Sequence, residues 1–559
     1  MKFKKILALI AILLIPVQAL AQTADTILIN GNIITVDERR PKAEAIAIES
    51  GRILAVGSNE EINRLRDRRT RVIDLQGKTV IPGLIDGHLH FVGLGSGGGS
   101  LDCSEAKSET DVAALVRRAV ARAKPGEWIT GDNWHTGNWG RETWPKKKSL
   151  DEVAPNNPVF LRGMHGHAGW ANSKAFEIVG INKTTSDPLG GKILREPETG
   201  EATGILIENA QALVRDKITG LAIEPIKERI KKSVQLALSN GIIGTHDMGT
   251  TLEAIDAYKE MIDAGDFPFR MNAIPRVVNA GALLDQILQR GAIKGYGDHR
   301  LTVRGVKVSI DGALGSRGAA LMSPYEDEPH NIGVIRVPYD QLYFIVEKSL
   351  RAGFNIAIHA IGDRGNQMAL NAIEEALRRV PTQDHRIRIE HAQVVRPEDL
   401  SRYSRLGVLA SVQWMHCTLD MPWAEKRVGR ERIRSSYAWR TLLNFGTRLV
   451  GGSDEGAATF SPFMGIHAAV TRQDAKGWPE GGWYAEQTLT RYEALKSYTL
   501  DAAYASFEET VMGSITPGKL ADIVVISKDI MTVPASEILQ TQVLMTMVGG
   551  RVVYERKEN

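Results

Sequence analysis

The architecture of this 559-residue chain is best predicted from one segment, Gly83-Leu84-Ile85-Asp86-Gly87-His88-Leu89-His90. An apolar run typical of a β-strand ends there in two histidines separated by a single residue. Successive side chains of a strand point to opposite faces, so residues i and i+2 share a face. We therefore expect His88 and His90 to bind one divalent metal ion together at the end of a strand.

Four later strand-like segments also carry residues that can bind a metal. They are residues 304–311 with Lys307, 355–359 with His359, 386–391 with His391, and 449–454 with Asp454. A single histidine is more often a buried polar residue than a ligand, but five such strands are difficult to explain by packing alone. The order His-x-His, Lys, His, His, Asp therefore predicts a metal centre.

This order resembles that of the amidohydrolase superfamily of metal-dependent hydrolases. Residues 513–525 resemble the C-terminal signature of that family, and residues 533–553 resemble its closing strands. Within the superfamily the chain is similar to the branch of N-substituted formamide deformylases, on residues 166–175 and 311–317. The resemblance covers nearly all of the chain after residue 21.

The resemblance implies an α/β fold: a (β/α)8 TIM barrel over residues 83–507, and a small β-sandwich domain built from residues 22–82 and 508–559. Barrel strands 1, 4, 5, 6 and 8 would carry the ligands, and residues 241–247, 269–275 and 409–413 fit strands 2, 3 and 7. The leftover residues form an insertion of about 101–223 after strand 1. Active sites of such barrels lie at the C-terminal ends of the strands, where we expect these ligands to meet.

The first 21 residues have the features of a secretory signal peptide. Three lysines precede a short apolar run at 6–15, and Ala19-Leu20-Ala21 is a small-x-small cleavage site. The apolar run is too short to cross a bilayer. We expect a periplasmic or secreted protein that begins at Gln22 and has no membrane span, with an uncleaved N-terminal anchor as the alternative.

Composition excludes some classes of partner. The three lysines of the signal segment account for the formal net charge of +3, so the rest of the chain is nearly neutral and no nucleic-acid partner is expected. Two cysteines far apart in sequence, Cys103 and Cys417, do not imply a disulfide. A homodimer stays an open alternative to a monomer.

The resemblance also implies the chemistry. Two divalent metal ions are expected, with zinc as the first choice and manganese, iron or nickel as alternatives. The implied ligands are His88, His90 and Asp454 for the more buried ion and His359 and His391 for the second, with a carboxylated Lys307 between them. Asp454 would also carry the proton from the attacking water to the leaving amine. For Lys307 the alternative is a buried ion pair with Asp311.

Further residues are expected around the substrate. His167 is the second catalytic candidate, because it could stabilise the carbonyl oxygen. The substrate-binding candidates are His246, Asn172, Arg317 and Trp170, with bracing of a ligand as the alternative for His246 and helix capping as the alternative for Arg317 and Ser316. His165 and His416 are expected to be loop residues. Nine of the ten tryptophans fall in segments expected at the C-terminal face, which predicts an aromatic pocket for a hydrophobic N-substituent.

These observations predict an exported metal-dependent amidohydrolase that cleaves a non-peptide C–N bond of a small, partly apolar amide or formamide. Two alternatives are a deaminase of heterocyclic amines that uses a single metal ion, and a binding protein without catalysis. The intact set of ligands argues against the binding protein.

Overall fold

The computed structural model describes residues 23–95, 101–139, 143–164, 166–219, 224–454 and 460–557. The predicted signal segment and His165 lie outside these residues. Within them, every helix is too short or too polar to cross a membrane. Both cysteines of the chain are buried and free.

The strands of the described residues are numbered in chain order. They are β1 (Thr26–Ile29), β2 (Asn32–Ile34), β3 (Lys42–Ala43), β4 (Ala45–Glu49), β5 (Arg52–Gly57), β6 (Arg71–Asp74), β7 (Thr79–Pro82), β8 (Leu84–Leu89), β9 (Leu101–Asp102), β10 (Ile129–Trp134), β11 (Val159–Gly163), β12 (Ala168–Ala171), β13 (Gly191–Arg195), β14 (Ala202–Glu208), β15 (Ile242–Thr250), β16 (Arg270–Pro275), β17 (Ile293–Gly295), β18 (Leu301–Val303), β19 (Gly305–Ser309), β20 (Asn355–Ala360), β21 (Arg388–His391), β22 (Leu409–Gln413), β23 (Leu449–Gly452), β24 (Ile523–Ile526), β25 (Val543–Val548) and β26 (Arg551–Glu555).

The α-helices are numbered in the same way. They are α1 (Asn59–Asn63), α2 (Phe91–Leu94), α3 (Glu109–Val120), α4 (Lys147–Asp151), α5 (Ser173–Val179), α6 (Ala212–Arg215), α7 (Ile226–Ser239), α8 (Leu252–Asp263), α9 (Ala282–Arg290), α10 (Tyr296–His299), α11 (Tyr339–Arg351), α12 (Asp363–Arg379), α13 (Pro397–Leu406), α14 (Trp414–Asp420), α15 (Ala424–Ile433), α16 (Trp439–Asn444), α17 (Pro462–Thr471), α18 (Arg491–Ser497), α19 (Leu500–Ala505) and α20 (Ala535–Ile538).

The centre of the α/β fold is formed by two five-stranded sheets, in the orders β17-β18-β16-β15-β8 and β19-β20-β21-β22-β23. A strand occupies each of the eight positions predicted from the sequence. In the first sheet, β8, β15, β16 and β18 run parallel to one another, and in the second sheet β19 to β23 do. Strands β20 and β22 are buried along their whole length, as is usual for a parallel sheet covered on both faces.

The two sheets contact each other on two sides. On one side, Arg276, directly after β16, is the parallel bridge partner of Lys307 in β19. On the other side, the amide of Asp454 donates to the carbonyl of His88 at 2.8 Å. The C-terminal ends of the first and eighth parallel strands therefore lie together.

Amphipathic helices cover the outside of these sheets. In α12, for example, the buried apolar residues are Ala369, Leu370, Ala372, Ile373 and Ala376. They recur every three to four residues, which places them on one stripe of a helix with 3.6 residues per turn. Such a stripe packs against the sheet, and the remaining faces carry charged residues toward solvent.

Both ends of the chain contribute to a six-stranded sheet with the order β26-β25-β24-β7-β2-β3. In it β7 pairs antiparallel with β24, with Pro82 opposite Ile523. A second sheet, β5-β4-β1-β6, packs against it through a shared core that includes Leu28, Ile46 and Met547. Because β7 leads directly into β8, this sheet pair fixes the start of the strand that carries His88.

Most of the segment between β8 and β15 forms a separate sheet, β13-β14-β12-β11-β10-β9, with its own apolar core. Within it, β13 and β14 form an antiparallel hairpin. Strand β11 belongs to this sheet and not to the parallel strands.

Candidate metal centre and active site

Side chains from three strand ends converge on one point. His88, His391 and Asp454 each offer a ligand atom, and these atoms lie within 4.8 Å of one another. The Nε2 atoms of His88 and His90 both lie 3.4 Å from Oδ1 of Asp454. Two or three imidazoles and a carboxylate are a donor set that suits zinc and related divalent ions.

His359 extends this group on the far side of His391, with ring centroids 4.5 Å apart. In the described part of the chain, the buried Nε2 of His359 makes no hydrogen bond, and its nearest carboxylate oxygen is Oδ1 of Asp311 at 3.4 Å. Burying a nitrogen without a hydrogen bond destabilises the fold unless another group, such as a metal ion, interacts with it. The residues present therefore fit a bound metal ion at this position.

The backbone departs from ordinary strand geometry at two of these residues. His391 has φ of 76° and Asp454 has φ of 51°. Non-glycine residues occupy this left-handed region at an energetic cost, and such positions cluster at functional sites. His88, His391 and Asp454 form the tightest group, while His90 lies beside Asp454 and His359 lies beside His391.

Lys307 is buried in β19, and burial lowers its pKa to about 8, against the opposing effect of the Glu390 and Asp454 charges. The alternative ion pair with Asp311 is not formed among the described residues. Instead, the Asp311 carboxylate accepts hydrogen bonds from the amides of Ala320, Ile361 and Gly362 at 2.8–3.1 Å. Burial raises the pKa of Asp311 to about 7, although these hydrogen bonds act in the opposite direction.

A buried polar network that the sequence analysis missed supports His88. Its Nδ1 lies 2.7 Å from Oε2 of Glu390, and Arg388 donates to Oε1 of Glu390 at 2.6 Å. Burial alone would raise the pKa of Glu390, but the charges of Arg388 and Lys307 hold it below its ordinary value. Arg388 and Glu390 are two residues apart on one strand, which was the available signal for an ion pair on a single face.

The second missed residue is Glu208, at the end of β14. Its carboxylate lies 2.8 Å from Nδ1 of His167 and 3.2 Å from a guanidinium nitrogen of Arg336. The ring of His167 lies 5.3 Å from that of His359, so the insertion brings a histidine to the metal centre. A Cβ at position 312 would stand 2.2 Å from Oε1 of Glu208, so this close approach requires the glycine found there.

The amidohydrolase family model matches residues 71–554. The chain belongs to the amidohydrolase family. An N-substituted formamide deformylase of Arthrobacter pascens is 30% identical, with 96% of this chain and 99% of that protein covered. These matches confirm the resemblance noted from the sequence.

Two further relatives and a solved structure extend the comparison. The protein LONG AFTER FAR-RED 3 of Arabidopsis thaliana is 35% identical over 95% of this amidohydrolase and 92% of the relative, and the putative amidohydrolase YtcJ of Bacillus subtilis is 29% identical over 94% and 98%. A metal-dependent hydrolase of Pyrococcus horikoshii superposes with a TM-score of 0.71 at 28% identity, covering 91% and 99% of the two chains. Metal-dependent hydrolysis by a divalent ion is therefore the chemistry of the family to which this chain belongs.

Two substrate-binding predictions in the insertion are wrong. Asn172 is fully buried and caps α5, where its side chain accepts from the amides of Ala175 and Val159. Its amide nitrogen donates to two carbonyls, so its hydrogen-bonding capacity is used within the fold. Trp170 is also fully buried and donates to the carbonyl of Lys146. Both residues hold the insertion together and do not face a substrate.

Arg317 is not available as a substrate contact either. Its guanidinium donates to Asp327 at 2.7 Å and lies 3.2 Å from Glu328, so two carboxylates satisfy it. The hydroxyl of Ser316 donates to the carbonyl of Ala313, which is a local turn contact. Both residues shape the loop after β19.

The structure favours the bracing role for His246. Its Nδ1 lies 2.7 Å from a nitrogen of Arg388, the residue that supports Glu390.

His416, expected to be a loop residue, lies in α14 with its ring parallel to that of His391 at 5.8 Å. The sequence offered no signal for this contact, because α14 follows β22 and not a strand that carries a ligand.

The predicted aromatic pocket is also wrong for most of the tryptophans. Four of them pack on one another inside the insertion, at centroid distances of 5.9–6.3 Å: Trp134, Trp139, Trp144 and Trp170. Trp414 is fully buried against Trp439. The insertion is a six-stranded unit that needs its own core, and large aromatic residues supply it.

Proposed function

We propose that this protein is an exported, metal-dependent amidohydrolase that cleaves the C–N bond of a small amide or formamide. The observation that carries the proposal is the convergence of His88, His391 and Asp454 at one point, with His90 and His359 beside them. The 30% identity to an N-substituted formamide deformylase over nearly the full length of both proteins supports this substrate class.

The proposal includes the organisation of the chain. The parallel strands would form a (β/α)8 barrel over residues 83–507, with the composite β-sandwich domain of residues 22–82 and 508–559 beside it. The pairing of β7 with β24 and the two contacts between the parallel sheets support this division. Export rests on the sequence of residues 1–21, and a homodimer is one possible assembly.

The metal would be held by His88, His90, His359, His391 and Asp454, with zinc as the expected ion and a carboxylated Lys307 between two ions. When bound, the metal would polarise the substrate carbonyl and lower the pKa of a water molecule. The role of Glu390 is to fix the ring of His88: when Nδ1 carries the proton and donates to Glu390, Nε2 is left free to bind a cation. Gln413 faces Nδ1 of His391 at 2.6 Å and acts in the same way.

Two side chains would handle protons and charge on the substrate. The Asp454 carboxylate can accept a proton from the attacking water and pass it to the leaving nitrogen, which must be protonated before an amide bond breaks. His167 lies beside His359, with its ring fixed by Glu208. When both ring nitrogens of His167 carry protons, Nδ1 donates to Glu208 and Nε2 can donate to the carbonyl oxygen of the substrate.

A deaminase that uses a single metal ion is the second candidate. The ligand atoms of His88, His391 and Asp454 lie within 4.8 Å of one another. So compact a group fits a single ion, which favours this candidate. The two candidates differ in their product, since deamination of a heterocyclic amine releases ammonia while hydrolysis of a substituted formamide releases an amine.

The test is a hydrolysis screen of metal-loaded protein against N-substituted formamides, N-acyl amines and heterocyclic amines. We expect release of a substituted amine, loss of activity after chelation, and recovery when metal is restored. Release of ammonia from a heterocyclic amine alone would favour the deaminase. Activity that survives complete removal of metal would exclude both.

A further inference from the structure

A groove of about 740 Å³ opens beside the metal centre, and no expectation from the sequence accounted for it. Its inner end is lined by Arg276, Ser309 and Arg336, and its outer wall includes Leu189, Val278 and Phe344. It lies between the loop after β16 and the N-terminal half of α11. We call it the Arg276 groove.

The inner end of the Arg276 groove adjoins the residues of the metal centre. Arg276 follows β16 and is the parallel bridge partner of Lys307, and the amide of Val277 donates to the carbonyl of Lys307 at 2.8 Å. Residues paired across two strands project to the same face, so Arg276 lies on the face that carries Lys307. Ser309, two residues beyond Lys307, shares that face.

Arg276 differs from the other arginine of the groove in its partners. Arg336 pairs with Glu208 and donates to the side chain of Asn209 at 2.8 Å. Among the residues that the structure describes, the guanidinium of Arg276 has no carboxylate within ion-pair distance and no hydrogen bond. Gly249 leaves room for it, since a Cβ there would lie 3.3 Å from Nε of Arg276.

Charges of both signs surround Arg276. The charges of Arg336 and Arg215 repel its guanidinium, whereas those of Asp454 and Glu208 attract it from beyond ion-pair distance. Arg276 is exposed, so a ligand in the groove can reach it. A carboxylate bound at this position would neutralise a cation that the described residues leave without a close partner.

The outer wall of the groove is mostly apolar and exposed, and the lysine that also lines it, Lys348, is paired with Asp285. Leu189 is 74% exposed, Val278 67% and Phe344 46%. Exposed apolar residues that gather along one groove mark a binding surface more often than isolated ones do. The groove therefore combines one cationic end, next to the metal centre, with an apolar wall.

We propose that the substrate is an amide that carries a carboxylate, which Arg276 binds, and an apolar substituent, which lies against Val278 and Phe344. An N-formylated or N-acylated amine with a carboxylate close to the amide belongs to this class. Guanidinium and carboxylate match in shape and form two parallel hydrogen bonds. The proposal rests on the proposed function and replaces the tryptophan pocket as the site for the N-substituent.

A binding experiment tests the groove without relying on catalysis. The probes are 3-phenylpropanoate and its neutral amide, 3-phenylpropanamide, titrated calorimetrically into the metal-loaded protein. We expect the carboxylate to bind at least about tenfold more tightly, because a hydrogen bond between charged groups contributes about enough binding free energy for this difference in affinity. In Arg276→Gln this preference should disappear, and in Phe344→Ala both probes should bind more weakly.

The control variant is Arg290→Gln, which removes an equal charge from an exposed pair with Asp256. It should keep the preference for the carboxylate. If Arg276→Gln kept the preference as well, the carboxylate would bind elsewhere, for example on the metal, and the proposal would be overturned. Equal binding of both probes by the wild type would also overturn it, and would leave the groove to another occupant such as a protein partner.

A matched pair of substrates then separates this proposal from the proposed function. N-formylphenylalanine and N-(2-phenylethyl)formamide differ only in the carboxylate. We expect kcat/KM to favour the former by about 10- to 100-fold, and Arg276→Gln to abolish that ratio. Hydrolysis of both at equal rates contradicts the proposal while leaving the amidohydrolase assignment intact. Hydrolysis of neither, together with a preserved binding preference, contradicts the formamide assignment alone.

Discussion

Nδ1 of His88 lies 2.7 Å from Oε2 of Glu390, and both side chains are buried. This contact leaves Nε2 of His88 facing Asp454. A carboxylate that accepts from a ligating histidine fixes its tautomer and orientation, and loss of such a partner costs about 10- to 100-fold in metal affinity or activity. Arg388, also on β21, donates to the same carboxylate and so holds Glu390 in place.

Glu390→Gln is expected to weaken metal binding by about 10- to 100-fold, because the amide does not supply the charge that orders His88 and Arg388. The measurement is a competition with a chelator of known affinity. Thermal unfolding is recorded in parallel, since Arg388 loses its buried partner in this variant. The control is Glu60→Gln, which removes an exposed carboxylate that pairs with Arg64. Unchanged metal affinity in a folded Glu390→Gln would contradict the role of Glu390.

His167 and Glu208 are expected to act as one unit. His167→Ala should lower kcat by about 10- to 1000-fold, the range associated with loss of a single donor to a developing charge. Glu208→Gln should lower kcat by less, and it should add little in the His167→Ala background because it acts through that ring. Steady-state kinetics of the two single variants and the double variant check this. Fully additive losses would show that Glu208 acts independently of His167.

Lys307→Ala is expected to lose metal and most of the activity, and short carboxylic acids should restore part of both. The physical reason is that a carboxylated lysine supplies two anionic oxygens, which an added carboxylate can replace. Metal content by elemental analysis and activity with and without acetate or propionate are the readouts. Metal content equal to that of the wild type would favour the deaminase that uses a single ion.

Cleavage after Ala21 is expected on export, because Ala19-Leu20-Ala21 follows a short apolar run. N-terminal sequencing of protein from the periplasm or medium should give Gln22 first. Exported protein that begins at Met1 would show that the segment is an anchor. Replacement of Ala19 and Ala21 by larger residues is the matched variant, and it should slow the cleavage.

The parallel strands and the ligand-bearing positions could be predicted from the sequence, because each strand is an apolar run that ends in a polar residue. His88, His359 and His391 lie at such ends, Asp454 follows the end of β23, and Lys307 lies in the middle of β19. The positions agree with the structure because strand periodicity and the common edge of a parallel sheet are local rules.

The partners of these residues could not be predicted in the same way. Glu208 reaches His167 from another strand of the insertion, 41 residues away, and adopts φ of 50° there. Arg276 is placed beside Lys307 by a pairing between strands that no local pattern contains. The tryptophans misled the prediction because their location along the chain does not distinguish a pocket from the core of an inserted sheet.

We propose that the site formed where these strands end hydrolyses an amide bond with Asp454 as the proton carrier. Asp454→Asn keeps the size of the side chain and one oxygen for ligation, but its amide cannot accept and return the proton.

The most direct measurement is kcat for release of the amine from a substituted formamide by metal-loaded wild type and Asp454→Asn, with folding checked by thermal unfolding. We expect kcat to fall by about 10²- to 10⁴-fold, the usual scale of general acid–base catalysis, with a smaller change in KM. A folded Asp454→Asn with turnover close to that of the wild type would contradict the assignment of the active site.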